Sequence, residues 1–330
     1  MLKLNRRRLL QGAAMLPVAG GLPWAAWADE AYPSRPVKVV VGFSPGGGVD
    51  LVARPMAQRV GDAIGQSLVV DNRPGAGGNL AAMFVARGTP ADGYTLLQVN
   101  SGMVTINPFI YKAGVPDYLR EFTPIAGMTD SPQAVLVPAS LGIKTLKDFV
   151  ALARAPKESM NFASGGIGTL AHVSFELFKK SENLKMEHVP YKGTGPAIQD
   201  MLAGRVHLMI DNVSQVKGQI DNGSIKVLAV TGPQRLPALP DVPTTAEAGF
   251  PKLLAIGWQA LLAPAKTPPA AVEKLRAAAR KVLDTAEWTA QMGRQGSVGR
   301  WISPDEITER TRRESAVWGD IIRASNITAE

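Results

Sequence analysis

At 330 residues, the chain is long enough for two modest domains, and its complete lack of cysteine excludes disulfides, thiol catalysis and cysteine–metal sites. Its formal net charge is +8, but Lys3, Arg6, Arg7 and Arg8 at the very start supply half of that excess. No later run of Lys and Arg is interleaved with aromatic residues, which argues against nucleic acid as a partner.

The first segment reads as an export signal. A basic start is followed by the mostly apolar stretch Leu9–Ala26, and "AWA" (Ala26 to Ala28) has the small-x-small form of a cleavage site. Cleavage is expected after Ala28, with the periplasm as destination, and "NRRRLLQ" carries the paired arginines and following leucines of twin-arginine export. No later stretch reaches the roughly 18 uninterrupted apolar residues of a membrane-spanning helix, so the mature chain is expected to be soluble.

Beyond residue 28, short apolar segments alternate with helical patterns. Strands are expected at Val37–Phe43, Leu68–Asp71, Thr95–Val99, Ala134–Val137, Asn161–Ala163, His188–Tyr191, Val206–Ile210, Lys226–Val230 and Ile256–Leu262. Helices are expected near Val49–Gly65, Asn79–Ala86, Leu146–Ala155, Gly168–Glu182, Ala197–Ala203 and Ala270–Leu283. In the fourth of these, Leu170, Val173, Leu177 and Phe178 share one face. "SPDE" (Ser303 to Glu306) is a capping box with proline at the first helical position, opening a helix that runs to about Ala324. Such alternation without two-residue hairpin turns predicts an α/β fold built on parallel sheets. The expected division is a first domain of residues 29–130 plus 231–330 and an inserted second domain of 131–230. The chain would cross between them near Gly127–Pro132 and Val230–Pro233.

One local pattern occurs twice. Phe43, Gly46, Gly47 and Leu51 in "FSPGGGVDL" repeat the spacing of Phe162, Gly165, Gly166 and Leu170 in "FASGGIGTL". A strand that exits through glycines into a helix exposes that helix's unpaired N–H groups and the positive end of its dipole, which together attract anions. Two such turns, one per domain, could grip one anion from both sides of a cleft. Neither matches the phosphate-binding G-x-x-x-x-G-K-[ST] pattern, so a carboxylate is the better fit, and no cofactor or metal is called for. "NRPGAGGN" (Asn72 to Asn79) reads as a structural turn in which Asn79 could cap the next helix.

Other candidates stand at strand ends, where open α/β folds gather ligand groups. They are Asn100 and Ser101 after one strand, Tyr191 and Thr194 after another, and Asp211 after a third. Asp50 could instead satisfy the first turn of its own helix, Thr194 could merely start the helix at Pro196, and Asp211 could cap the helix at Val213. Ser164, His172 and Asp211 also invite a serine-hydrolase reading, but G-x-S-x-G is absent, and the three histidines have no zinc-site spacing.

"YPSRPVKVVVGFSPGGGVD", "VDNRPGAGGNLAA", "ADGYTLL", "NFASGGIGTLAH", "HVPYKGTGPAIQDMLAGRVHLMIDN" and "LPDVPTTAEAGF" together resemble the Bug-type (TctC-like) solute-binding receptors of tripartite tricarboxylate transporters. The resemblance covers essentially the whole mature chain. It implies a two-domain periplasmic binding protein, type II-like, each domain a mainly parallel sheet flanked by helices, closing on a small carboxylate without catalysis. The family's two strand–helix loops map onto Phe43 to Asp50, including Gly47 and Gly48, and onto Ser164 to His172, including Gly165, Gly168 and Thr169. The implied partner is a two-subunit membrane permease, with the receptor expected as a monomer; sensing without transport is the other role such receptors can take. Gly42 stands where the family usually has proline, which should loosen the approach to the first loop.

Overall fold

The computed structural model describes residues 32–329; the export signal and its expected cleavage after Ala28 lie outside the described residues. β1 (Val37–Val41), α1 (Asp50–Ile64), β2 (Leu68–Asn72), α2 (Asn79–Gly88) and β3 (Thr95–Asn100) alternate as expected. Three short helices, α3 (Ser101–Thr105), α4 (Asn107–Ile110) and α5 (Tyr118–Glu121), lead into the long strand β4 (Phe122–Pro138). Next come α6 (Leu146–Arg154), β5 (Met160–Ser164), α7 (Leu170–Glu182), β6 (Met186–Pro190), α8 (Thr194–Leu202), β7 (Leu208–Asn212), α9 (Val213–Asp221) and β8 (Ile225–Val230). β9 (Ile256–Pro264), α10 (Pro269–Leu283), α11 (Ala286–Gly293), β10 (Val298–Ile302) and α12 (Pro304–Ala324) complete the order.

The strands run in the order β2-β1-β3-β9-β4-β7-β5-β6, with β8 and β10 also pairing with β4. The α/β class holds, but the sheet is mixed rather than mainly parallel. β1 pairs in parallel with β2 and β3, and β5 with β6 and β7. Every pairing of β4 and β9 is antiparallel. The reason is β4 itself. Its residues up to Pro132 pair with β9, its residues from Gln133 on pair with β7 and β8, and one strand thus serves both flanks. Only Ala134–Val137 is legible as a strand in the sequence, because Pro124 and Pro132 disguise the remainder.

Each parallel flank has its own core. Val39, Met56, Leu96, Leu275 and Trp288 meet on one side, and Val135, Phe149, Phe162, Phe175 and Leu208 on the other. A fully buried Phe or Leu contributes roughly 1.5–3 kcal/mol. A further apolar cluster joins Ile106 and Ile110 of α3–α4, Val173 of α7, and Trp318, Ile321 and Ile322 of α12, so the C-terminal helix packs against elements of both flanks. α12 begins on the expected cap, where the Ser303 hydroxyl accepts from Glu306 N at 3.1 Å and Pro304 is the first helical residue. Among the described residues no helix is long and apolar enough to cross a membrane.

Candidate functional site

A cleft of about 770 Å³ opens beside the two glycine-rich turns, a volume typical of small-molecule sites. Of the residues singled out from sequence, Phe43, Gly47, Gly48, Asn100, Ser101, Gly165, Gly168, Thr169, Thr194 and Asp211 line it. Asp50, Ser164, His172 and Tyr191 are not part of its lining and are engaged elsewhere. A separate depression of about 720 Å³ along α1 and β2 shares no lining residue with the cleft.

The first turn is braced from behind by charge. Asp50 is 1% exposed and accepts from Gly46 N (2.8 Å), Arg54 Nε (2.8 Å) and Asn72 Nδ2 (2.9 Å). Asn72 Nδ2 also donates to Phe43 O at 2.9 Å. Burial alone would raise the Asp50 pKa, but the hydrogen bonds from Arg54, Gly46 and Asn72 overcome it and hold the carboxyl below its ordinary range. Asp50 therefore shapes the turn instead of facing a ligand. Gly42 is buried against Gly78, whose Cα would lie 2.6 Å from an added Cβ.

Gly47 N is already donating to Ser44 O at 3.2 Å, whereas the N–H groups of Gly48 and Val49 have no partner among the described residues. Two glutamines hold the carbonyls of this turn. Gln259 Nε2 donates to Gly48 O and Gln98 Nε2 to Val49 O, both at 3.1 Å. In a trans peptide the N–H points opposite to the carbonyl, so holding Gly48 O turns the Val49 N–H the other way.

The second turn is braced by neutral rings. Ser164 Oγ lies 2.7 Å from His188 Nε2 and donates to Gly166 O at 2.9 Å, so the imidazole is the donor to the serine. His172 Nδ1 accepts from Gly168 N at 3.1 Å, and its ring stacks on His188 with centroids 3.7 Å apart. Burial above all pushes His172 down to about 4 and His188 down to about 3, so both rings are neutral near pH 7. Among the described residues no carboxylate bonds to either ring, Asp211 is bound to other groups, and Ser164 is fully buried. The Ser164–His172–Asp211 triad of the hydrolase reading is not assembled.

Gly168 N and Thr169 N, expected as ligand donors, are consumed inside the turn by His172 Nδ1 and Gly166 O. The free donors lie beside them: N–H groups of Gly165, Ile167, Leu170 and Ala171 find no partner among the described residues, and all four residues line the cleft. Gly168 cannot be replaced easily, because its φ is +72° and an added Cβ would overlap Ile110 of α4.

Further along the wall, Asn100 Oδ1 caps α3 through Met103 N (2.9 Å), and Ser101 lines the cleft beside it. Asp211 accepts from Thr194 Oγ1 at 2.6 Å and Asn212 N at 2.7 Å, and burial raises its pKa above the ordinary carboxylate range. Tyr191 turns away: its hydroxyl donates to Asp200 at 2.6 Å, and burial raises its pKa to about 12 with help from that bond. Asn79 is not a cap but accepts from Asn107 Nδ2 at 2.7 Å. The starts of α1, α7, α8 and α9 all contribute to one wall or another, and the positive end of a helix dipole favours an anion.

Gln133, Trp258, Gln259, Arg294, Gln295 and Ser297 also line the cleft and carry no sequence motif. They come from the middle of β4, from β9 and from the α11–β10 connection, and only pairing distant in sequence brings them there. Among the described residues no three His, Cys, Asp or Glu side chains converge as a metal site.

Residues 52–327 match the family described as "Tripartite tricarboxylate transporter family receptor" (TctC). The chain belongs to this receptor family. It is 31% identical to protein BugT of Bordetella pertussis over 321 residues, 97% of this chain and 98% of that protein. Among solved structures it is similar to one described as a periplasmic transporter (34% identity, 91% of this chain and 100% of that one, TM-score 0.78). It is equally similar to Rpa4515 of R. palustris, solved with adipate (34% identity, 90% and 99%, TM-score 0.78). Membership makes the chain a periplasmic-type binding receptor and not an enzyme, and the tripartite system implies membrane components.

Proposed function

We propose that this receptor, exported to the periplasm and cleaved after Ala28, captures a small carboxylate between two lobes and delivers it to a two-subunit permease. One lobe comprises residues 29–130 plus 231–330, the other 131–230, with the long strand shared between them serving as a hinge. The observation that carries the reading is the set of unpaired N–H groups at Gly48 and Val49 and at Leu170 and Ala171, two separate helix starts lining one cleft. A carboxylate oxygen accepts such donors in charge-assisted bonds worth about 1.5–3 kcal/mol each. Against the costs of association, several of these support an affinity near micromolar, about −8 kcal/mol. Ser101, Asn100 and Thr194 would hold the rest of the ligand, no catalysis is involved, and closure of a monomeric receptor would present the surface its permease reads. The relative solved with adipate supports carboxylate as the ligand class.

The test is a thermal-shift panel of carboxylates on protein stripped of carried-over ligand. A true ligand at about 100 times its dissociation constant adds roughly 2.7 kcal/mol of stability. An added Cβ at Gly48 meets nothing within 4 Å, so Gly48→Phe should leave the unliganded melting temperature nearly unchanged and abolish the shift. A panel without any shift, or a shift that survives in Gly48→Phe, rejects the clamp.

A further inference from the structure

We infer that Arg294 is the residue through which the cleft selects a second acidic group on its ligand, so that diacids bind in preference to monoacids of equal length. This rests on the carboxylate-clamp reading above. Among the described residues two charged side chains line the cleft, Asp211 and Arg294. Asp211 is committed to Thr194 and Asn212 N. Arg294 is exposed at the end of α11, and its guanidinium has no ion pair, side-chain hydrogen bond or aromatic partner among the described residues. Nearby arginines behave differently: Arg300 pairs with Asp130 and Glu306, and Arg310 with Asp130 and Glu314.

Arg294 stands on a different element from either turn of the clamp, the α11–β10 connection. Gly257 on the cleft floor faces Leu170 of the second turn (3.7 Å from an added Cβ) and Ser131 of β4 (3.5 Å to its carbonyl). Ser131 Oγ in turn meets Ser297 Oγ at 2.8 Å, and Ser297 belongs to the connection that Arg294 begins. That connection abuts the start of α9, where an added Cβ at Gly296 would lie 3.3 Å from Ser214 N. The N–H groups of Val213, Ser214 and Gln215 are unpaired among the described residues, and Asn212 does not cap them. Gln133, 6% exposed, lines the same cleft and could turn its amide N–H toward an acid there. A free guanidinium beside an uncapped helix start matches a carboxylate in both charge and fork geometry.

The experiment is titration calorimetry on the stripped receptor with matched pairs: butyrate and succinate, hexanoate and adipate, octanoate and suberate, benzoate and terephthalate. The wild type should bind the best diacid at least about tenfold more tightly than its monoacid partner. Arg294→Gln should bring that ratio to within about twofold by weakening the diacid alone, and Arg294→Lys should recover part of it. If monoacids bind both proteins equally and diacids gain nothing, or if the preference survives in Arg294→Gln, the assignment is overturned while the clamp stands. If no acid of any pair binds the wild type, the clamp falls and the inference falls with it.

Discussion

The two glycine-rich turns make the same exit from a strand into a helix but are held by opposite chemistries. The first is fastened by a buried carboxylate and its cationic and amide partners, Asp50 with Arg54 and Asn72. The second is fastened by two stacked neutral imidazoles and a serine, His172 and His188 with Ser164. Both arrangements use internal acceptors on the N–H groups nearest the glycines and leave others unpaired among the described residues. A repeated backbone device therefore needs no repeated side chains, only an acceptor behind each turn.

Steric freedom separates the turns most strongly. Gly168→Ala places a side chain on a left-handed backbone and against Ile110, and should cost about 2–4 kcal/mol in urea or thermal unfolding. Gly48→Ala, with open space around its Cβ, should change stability by less than about 0.5 kcal/mol. Equal costs at the two positions would show that Gly168 is not packed as described. Slightly smaller is the effect of Asp50→Ala, which leaves Gly46 N and the Asn72 amide without their acceptor and should cost about 2–3 kcal/mol. Its stability loss should be read together with hydrogen exchange at Gly46, which must accelerate if the carboxylate is the brace.

Acid should open the two turns in sequence. Because the folded-state pKa values of His172 and His188 are depressed, to about 4 and about 3, the unfolded chain takes up protons first. Their contribution is complete above an unfolded pKa of about 6.5 and drains away as pH falls toward 4. Asp50 is also depressed, so its contribution is present above the ordinary carboxylate range and is lost only as pH falls below it. Amide protection factors, corrected for the intrinsic exchange rate and followed from pH 7 downward, should therefore fall at Gly168 before Gly46. Simultaneous loss would remove the distinction between the braces. His188→Phe, which keeps a ring against Phe162, should narrow the interval between the two losses.

What could be read in advance was what is local. Strand–glycine–helix units, the cap at Ser303 and the glycines of both turns are visible because neighbouring residues determine them. β10 and the front half of β4 were not, since "GMTDSP" becomes a strand only by pairing with β9 and β10, far away in the chain. Which N–H groups stay unpaired could not be read for a related reason. Whether Gly47, Gly168 or a neighbour keeps a free N–H depends on acceptors such as Ser44 O and His172 Nδ1, which spacing alone does not reveal. Arg294 belongs to no motif, and His188, although it opens a quoted one, has no role that spacing reveals; only tertiary packing brings them to the site.

Tyr191 gives the smallest and cleanest contrast. It follows a strand end, as Asn100 and Asp211 adjoin theirs, and sequence position alone makes it a candidate for the ligand wall. Its hydroxyl instead donates to Asp200, which Arg205 also engages, so the side chain fastens the surface of the second turn's flank. The contribution to the turn itself comes from its backbone, where Tyr191 N donates to Ser164 O at 3.0 Å, and no substitution of the ring removes that bond. Tyr191→Phe should consequently cost about 0.5 kcal/mol or less and leave carboxylate affinity unchanged within twofold. A larger fall in affinity, measured by calorimetry at constant fold stability, would mean that Tyr191 swings into the cleft on closure and that the second wall is built differently once a ligand is held.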